Sequence, residues 1–350
     1  MILLRKPTPL QDSENYLGLP EMDRALWSLA VLLGIAHSLA RLGAVEEGVS
    51  WNVHVQHGLH MPRLGLGTAA LPGKTAQMVY EALKVGVRLL DSAQAQEWYS
   101  EEDVGKGIAR YSSEQQGSLD DLIIVTKIHP RSFRSDKLRN KVEESRRLLY
   151  TSWRPDASQI DVVLLHSPYC WSGHCSQEEE SHTWQGAWQT LEELKEEGAI
   201  KAIGVSNFDL EQLQELEGMS NVKVAVVQNW MDPLHQDEDV RNFCKTHGIT
   251  YMAYSSMGTQ WESKFQHKNP VLSDSTLLEI AGNHKTSVAN IVNSWLLQEG
   301  VIAIPRSSKS SHIKENAGRR LENGNLQVLL TATDIERIRA LDGKHGTPWD

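Results

Sequence analysis

Cysteine is scarce in this chain: Cys170, Cys175 and Cys244 are the only three in 350 residues. Three are too few for a disulfide scaffold, so a reducing compartment and a cytoplasmic location are expected. A basic excess is missing too. The formal net charge is −10, which leaves no broad positive face to displace counterions, so no nucleic-acid partner is expected. A long apolar run is also absent. Within residues 26–41 the uncharged stretch is about 15 residues, short of the roughly 18–20 that span a bilayer as a helix. Glu21 and Asp23 precede it and no small-residue cleavage site follows, which argues against a secretory signal. Residues 1–50 therefore read as an N-terminal extension with an amphipathic or docked helix, and membrane contact is not expected. Finally, no three-glycine phosphate turn follows an early strand. Gly65-Leu-Gly-Thr68 lacks the third glycine and the helix-opening context, which speaks against a doubly wound dinucleotide fold.

What is present is a regular beat. Hydrophobic residues make up 40% of the chain and charged residues 23%, ordinary values for a globular domain. Around Gly58, VHVQHG and MPRLGLGT suggest a small β-hairpin. Short apolar runs follow at 64–67, 87–90, 122–126, 162–165, 202–205, 224–227, 250–253 and 301–304. They lack strict alternation, as parallel strands covered on both faces do. Between them, residues 75–84, 138–149, 188–197, 211–216, 239–247 and 288–298 space apolar side chains three and four apart, the helical period. Several of these stretches end in glycine (Gly86, Gly198, Gly248, Gly300), the favoured residue just past a helix. Eight βα units over residues 51–350 predict one domain, an α/β fold of the (β/α)8 TIM-barrel kind.

A barrel places its active site at the carboxyl ends of its strands. Asp91 ends the second run, Lys127 the third and His166 the fourth, 36 and 39 positions apart. Three ionisable groups thus converge on one mouth. A buried Lys needs a counter-ion, which Asp91 supplies. The positive charge would lower the pKa of a neighbouring proton donor. A neutral His could donate a hydrogen bond to a carbonyl oxygen as charge develops there. Singly, Lys127 could be a surface residue, His166 a strand end and Asp91 a helix cap. Together they point to chemistry.

The segments around them resemble the aldo-keto reductase superfamily from about residue 54 to 341. They are MPRLGLGT, GVRLLDSAQA, EEDVGKGI, IIVTKIHP, DVVLLHSP, IKAIGVSNF, VVQN, MAYSSMG and SWLLQEGVIAIPRSS, in the family's order and spacing. The resemblance implies an NADPH-dependent oxidoreductase, open also to NADH, that reduces a small aldehyde or ketone and needs no metal. It assigns Asp91, Lys127 and His166 to catalysis. For the cofactor it implies Gly67, Thr68 and Asp91 at the first strand ends. Ser206, Asn207 and Gln228 would hold the nicotinamide carboxamide, and Tyr254, beside Ser255, would stack on the ring. Arg306, Ser307, Ser308 and His312 would take the phosphate end, with Glu315 and Asn316 at the adenine edge. His312 stands where the family commonly has Arg. A monomer is expected.

One departure matters. The family's fourth catalytic group is a Tyr five residues after the Asp, and here Gln96 holds that place. Counting back from Val104-Gly105 gives Trp98, because the loop is two residues longer. Tyr99 adjoins both and is the candidate acid. If it does not reach, Trp98 or Gln96 merely shapes the pocket, and the alternative is a cofactor-binding regulatory barrel with weak or lost catalysis. Trp98, His166, Trp171 and Trp230 are expected to line the substrate pocket, with Trp261 as a further candidate. Ala69 replaces a larger wall residue. The chain stops at Asp350 soon after a helix-like 331–343, so no long closing loop is expected and the pocket should be open. Cys170, His174 and Cys175 share a loop but lack a second ligand pair, and no metal site is expected.

Overall fold

The computed structural model describes residues 52–115, 118–262, 264, 265, 268–317 and 328–346. The apolar stretch at 26–41 lies outside the described residues. Among the described residues no helix is long and apolar enough to cross a membrane.

The expected hairpin comes first: β1 (Asn52–Val55) and β2 (Leu59–Pro62) pair antiparallel. Eight parallel strands follow in sequence order. They are β3 (Leu66–Gly67), β4 (Leu89–Asp91), β5 (Ile123–Ile128), β6 (Ile160–Leu165), β7 (Ile200–Ser206), β8 (Val226–Trp230), β9 (Thr250–Tyr254) and β10 (Ile302–Ala303). The last strand meets the first. Leu64 bridges Ala303 in parallel, and Gly65 N donates to Ala303 O at 2.9 Å. At this seam a Cβ on Gly67 would sit 2.8 Å from Ile304 O, so barrel closure already demands that glycine. The helices after successive strands are α1 (Thr75–Lys84), α2 (Glu101–Gln115), α3 (Ser135–Tyr150), α4 (Trp184–Glu196), α5 (Leu210–Met219), α6 (Glu238–His247), α7 (Val288–Gln298) and α8 (Ser310–Ala317).

Strand parity positions the site. Leu89, Val125, Val162, Leu164, Ala202, Val226, Met252 and Ile302 share one apolar cluster with Val55, Leu59 and Met61 of the hairpin. Leu90, Ile124, Val163, Ile203, Val227 and Ala253 belong to the larger layer that includes the helices. Side chains alternate faces along a strand. Two residues beyond Leu89, Val125, Leu164, Val226 and Met252 come Asp91, Lys127, His166, Gln228 and Tyr254. The inward register therefore carries the barrel core directly into the polar cluster.

Helix α2 was not read from the sequence, although Val104, Ile108 and Tyr111 fall four and three apart on its buried face. Gly105 and Gly107 depress helix propensity, yet both are needed. A Cβ on Gly105 would lie 2.1 Å from Leu148 O, and one on Gly107 2.6 Å from Ala76 O. The helix opens with Glu101, whose buried carboxylate accepts from Thr126 Oγ1 and, at 2.9 Å, from Ser145 Oγ. Burial pushes its pKa from 4.5 up to about 7. The folded state thus favours the protonated form. That contribution is complete below pH 4.5 and is lost as pH rises through about 7, by roughly 3 kcal/mol. Thermal melts should show Tm falling between about pH 4.5 and 7, and Glu101→Gln should flatten that slope. An unchanged slope in the variant would refute the assignment.

Candidate active site

At the carboxyl end of the barrel, Lys127 is 1% exposed and Asp91 2%. Lys127 Nζ donates to Asp91 Oδ1 at 2.7 Å, to Oδ2 at 2.8 Å and to Ser92 O at 2.9 Å. All three ammonium donors have near acceptors, so the buried charge is satisfied. Asp91 Oδ1 also accepts from Gln228 Nε2 at 2.8 Å. Thr68 ties the next strand in, its Oγ1 donating to Asp91 O at 2.8 Å. Burial lowers the Lys127 pKa, with Asp91 opposing.

His166 stands beside the pair. Burial, then Lys127 and His129, hold its pKa well below 6.5, so the ring is neutral at pH 7. Its Nδ1 is buried without a partner. A bare acceptor is tolerated there more readily than a bare N–H, which places the proton on Nε2 and leaves that atom as the donor.

Tyr99, and not Gln96 or Trp98, joins this group. Ala95 O accepts from both Trp98 N and Tyr99 N at 2.9 Å, a turn that absorbs the longer loop and tucks Tyr99 inward. Lys127 Nζ lies 4.9 Å from the Tyr99 ring centroid, and the ring meets His166 edge-on at 5.9 Å. Gln96 is exposed. Trp98 is 39% exposed and packs on Trp171 and His174. The electrostatics differ from the sequence expectation. Burial, reinforced by Asp91, raises the Tyr99 pKa well above 10. The ammonium lies over the ring face with its protons directed to Asp91 and Ser92, and burial together with Asp91 outweighs its pull on the phenol.

The residues expected at the nicotinamide are interlocked. Asn207 takes a left-handed backbone (φ 61). Its Nδ2 donates to His166 O at 2.7 Å, and its Oδ1 accepts from Tyr254 Oη at 2.5 Å. Nδ2 also reaches Ser206 Oγ at 3.1 Å. Ser255, likewise left-handed, accepts from Gln260, and the adjacent Ser256 Oγ is buried with no partner.

Farther round, Arg306 is exposed, Ser307 Oγ accepts from Lys309 N at 3.1 Å, and Ser308 precedes α8. His312 faces solvent from that helix. Lys309 was not read from the sequence; it adds a second exposed cation beside Arg306. Glu315 and Asn316 are engaged with Ser287 and Asn293.

The expected pocket wall divides. Trp171 packs on His166 at 5.0 Å and on Trp98 at 5.6 Å, so the His166 side is covered and less open than the sequence suggests. Trp230 and Trp261 pack on each other, and both indole N–H groups donate to Asp232 at 2.9 Å. Trp261 is fully buried: it is core and does not line the pocket. Ala69 is half-buried on the neighbouring loop. His129 was missed, although it sits two residues past Lys127 on the inward register. Its Nδ1 accepts from Arg131 N and Nε at 3.1 and 3.0 Å, while Arg131 pairs with Glu97. Burial and then Arg131 lower its pKa to about 4.

Residues 63–342 match the model of the aldo/keto reductase family. The NAD(P)H-dependent D-xylose reductase of Kluyveromyces lactis is 28% identical, covering 85% of this chain and 95% of that protein. The 9,11-endoperoxide prostaglandin H2 reductase of Trypanosoma cruzi is 32% identical over 75% of this chain and 84% of its own. Among solved structures, the Bombyx mori aldo-keto reductase in complex with NADP superposes with a TM-score of 0.72 at 25% identity. It covers 84% of this chain and 93% of that one. With the barrel, the buried lysine–aspartate pair and the family match in agreement, this chain belongs to the aldo/keto reductase family.

Proposed function

We infer that this protein is an NADPH-dependent reductase of small aldehydes or ketones. The observation that carries it is the fully satisfied Lys127–Asp91 pair set against neutral His166 and the Tyr99 ring. A structural core has little use for such a pair, since apolar residues of like volume are usually no less stable there.

The polar residues fit a phosphorylated dinucleotide. Arg306 and Lys309 are exposed beside the start of α8 and have no carboxylate partner among the described residues, the setting in which anions bind. Ser256 Oγ is buried and orphaned beside the Tyr254 loop. In this reading Ser206, Asn207 and Gln228 hold the carboxamide, Tyr254 the ring, and Arg306, Lys309 and His312 the 2′-phosphate end. Bound NADPH supplies the hydride that adds to the carbonyl carbon. His166 Nε2–H donates to the carbonyl oxygen, and Tyr99 Oη gives that oxygen its proton. The Asp91-held Lys127 ammonium, over the ring, favours the phenolate that remains. The high Tyr99 pKa keeps the acid loaded throughout the neutral range. Trp98 and Trp171 form one wall. The protein acts as a monomer of the cytoplasm in this reading.

Purified protein should consume NADPH with 4-nitrobenzaldehyde. Turnover no greater than that of a Lys127→Met control, with tight NADPH binding, would favour the binding barrel instead. Arg306→Ala should weaken NADPH binding by about 10- to 100-fold, the worth of one charge-assisted pair, and leave NADH binding unchanged. Fluorescence quenching of the tryptophans measures both; equal losses would sink the phosphate assignment.

A further inference from the structure

The loop after β6 holds a sulfur pair that the reductase chemistry does not use. Cys170 and Cys175 are joined as a disulfide with Cα atoms 6.1 Å apart, a separation ordinary for such a bond. Both residues are partly exposed. Cys170 also lines a cavity of about 410 Å³ with Pro130, Phe133, Tyr169 and His182, which opens a route for a small thiol.

His129 stands behind the bond. One of its ring nitrogens lies within 4.8 Å of both sulfurs. Its Nδ1 lone pair is taken by two Arg131 donors, so the imidazole proton sits on Nε2, and Nε2 is buried with no partner. His129 itself is 1% exposed. A protonated nitrogen has no lone pair for a cation, which disfavours reading the trio as a metal site. It is suited to hydrogen-bond a thiolate, which is absent while the sulfurs are joined.

Between the cysteines lies Trp171, edge-on to His166 at 5.0 Å and to His129 at 5.1 Å. His174 packs on Trp98 at 5.3 Å and lies 3.8 Å from Glu97. The bond therefore pins an aromatic cover on the histidine that faces the carbonyl.

We propose that Cys170 and Cys175 form a reversible thiol–disulfide site, supported by His129, that sets how tightly Trp171 covers the active-site mouth. The gating half rests on the role given above to His166. In opening, a thiolate of a small dithiol attacks Cys170 Sγ and the Cys170–Cys175 bond breaks. Cys175 leaves as a thiolate, receives a hydrogen bond from His129 Nε2–H and takes a proton from water. The second thiol of the reductant then displaces Cys170. The reductant ends as a disulfide, having given two electrons and two protons. Closing is the reverse exchange with a small disulfide such as oxidised glutathione.

The full-length protein is equilibrated in dithiothreitol or in oxidised glutathione, alkylated, and its peptides are weighed by mass spectrometry. The Cys170–Cys175 link should form and open reversibly, while Cys244, buried and with its thiol pushed up to about 12, stays unlinked. Tryptophan emission should shift between the two states in the native protein and stay fixed in Cys175→Ser. With NADPH and 4-nitrobenzaldehyde, the opened form should show kcat/KM higher by about three- to tenfold, mostly through KM, as for a lid that no longer obstructs entry. Cys175→Ser should match the opened form under either condition; Cys170→Ser serves if that variant does not fold. A link that never forms, or an emission shift that persists in the serine variant, would overturn the proposal. So would equal kcat/KM in both states. Absence of turnover in either state would count against the reductase reading alone, and the link and emission measurements then decide this one.

Discussion

Replacing Tyr99 by Phe is expected to lower kcat for aldehyde reduction by about 10²–10⁴-fold, the worth of a positioned general acid. The substitution removes only the hydroxyl. The ring stays beneath Lys127 Nζ at 4.9 Å and edge-on to His166 at 5.9 Å, so the pocket keeps its shape. NADPH affinity should therefore be unchanged, and the loss should appear in kcat and kcat/KM alike. Gln96→Ala is the informative control. Gln96 occupies the family's tyrosine position by count, yet it is exposed, and its loss should leave kcat within a few-fold of the parent. Steady-state kinetics on both variants test the assignment. A Tyr99→Phe enzyme of near-parental rate would shift the acid's role to His166. The pH profile offers a second check. Burial and Asp91 raise the Tyr99 phenol well above 10, so the reductive rate should not fall through acid deprotonation until the pH exceeds 10.

Lys127→Met carries the second large effect, on two observables at once. Asp91 would lose the cation that bonds both of its oxygens and, among the described residues, keep the Gln228 Nε2 donor. Stranding a carboxylate that is 2% exposed should cost about 3–5 kcal/mol of stability, read from urea melts. Turnover should also fall by at least about 10²-fold, since among the described residues Lys127 is the cation recorded over the Tyr99 ring. The double variant Lys127→Met/Asp91→Leu separates the two losses. With both charges gone, most of the stability should return while activity stays low. Recovery of activity along with stability would mean that the pair serves only the fold.

The barrel was legible because its signals are local and repeated. Apolar runs such as 122–126 and 162–165 alternate with helical spacing such as 75–84, and the structure bounds α1 at Thr75–Lys84. Asp91, Lys127 and His166 were legible for the same reason, since each follows an apolar strand at the same phase. The phase itself reveals more than the motifs alone. Counting two residues from Val125 to Lys127 and two more to His129 would have found the histidine behind the disulfide. Helix α2 shows the helical period at Val104, Ile108 and Tyr111, but its two interior glycines obscure it, and their reason lies in Leu148 O and Ala76 O, contacts remote in the chain.

Sequence alone thus determined the fold class, the strand ends that bear the ionisable groups, and the cofactor chemistry they resemble. These depend on periodicity and residue type, which each segment carries by itself. Tertiary structure decided which aromatic enters the site. Whether Gln96, Trp98 or Tyr99 turns inward depends on how a lengthened loop closes, and the Ala95 turn settles it for Tyr99. It also decided that Trp261 is core while Trp171 covers His166, and that burial outweighs the lysine in setting the phenol's pKa. Burial, register and approach distance come from residues far apart in sequence, and only the packed barrel brings them together.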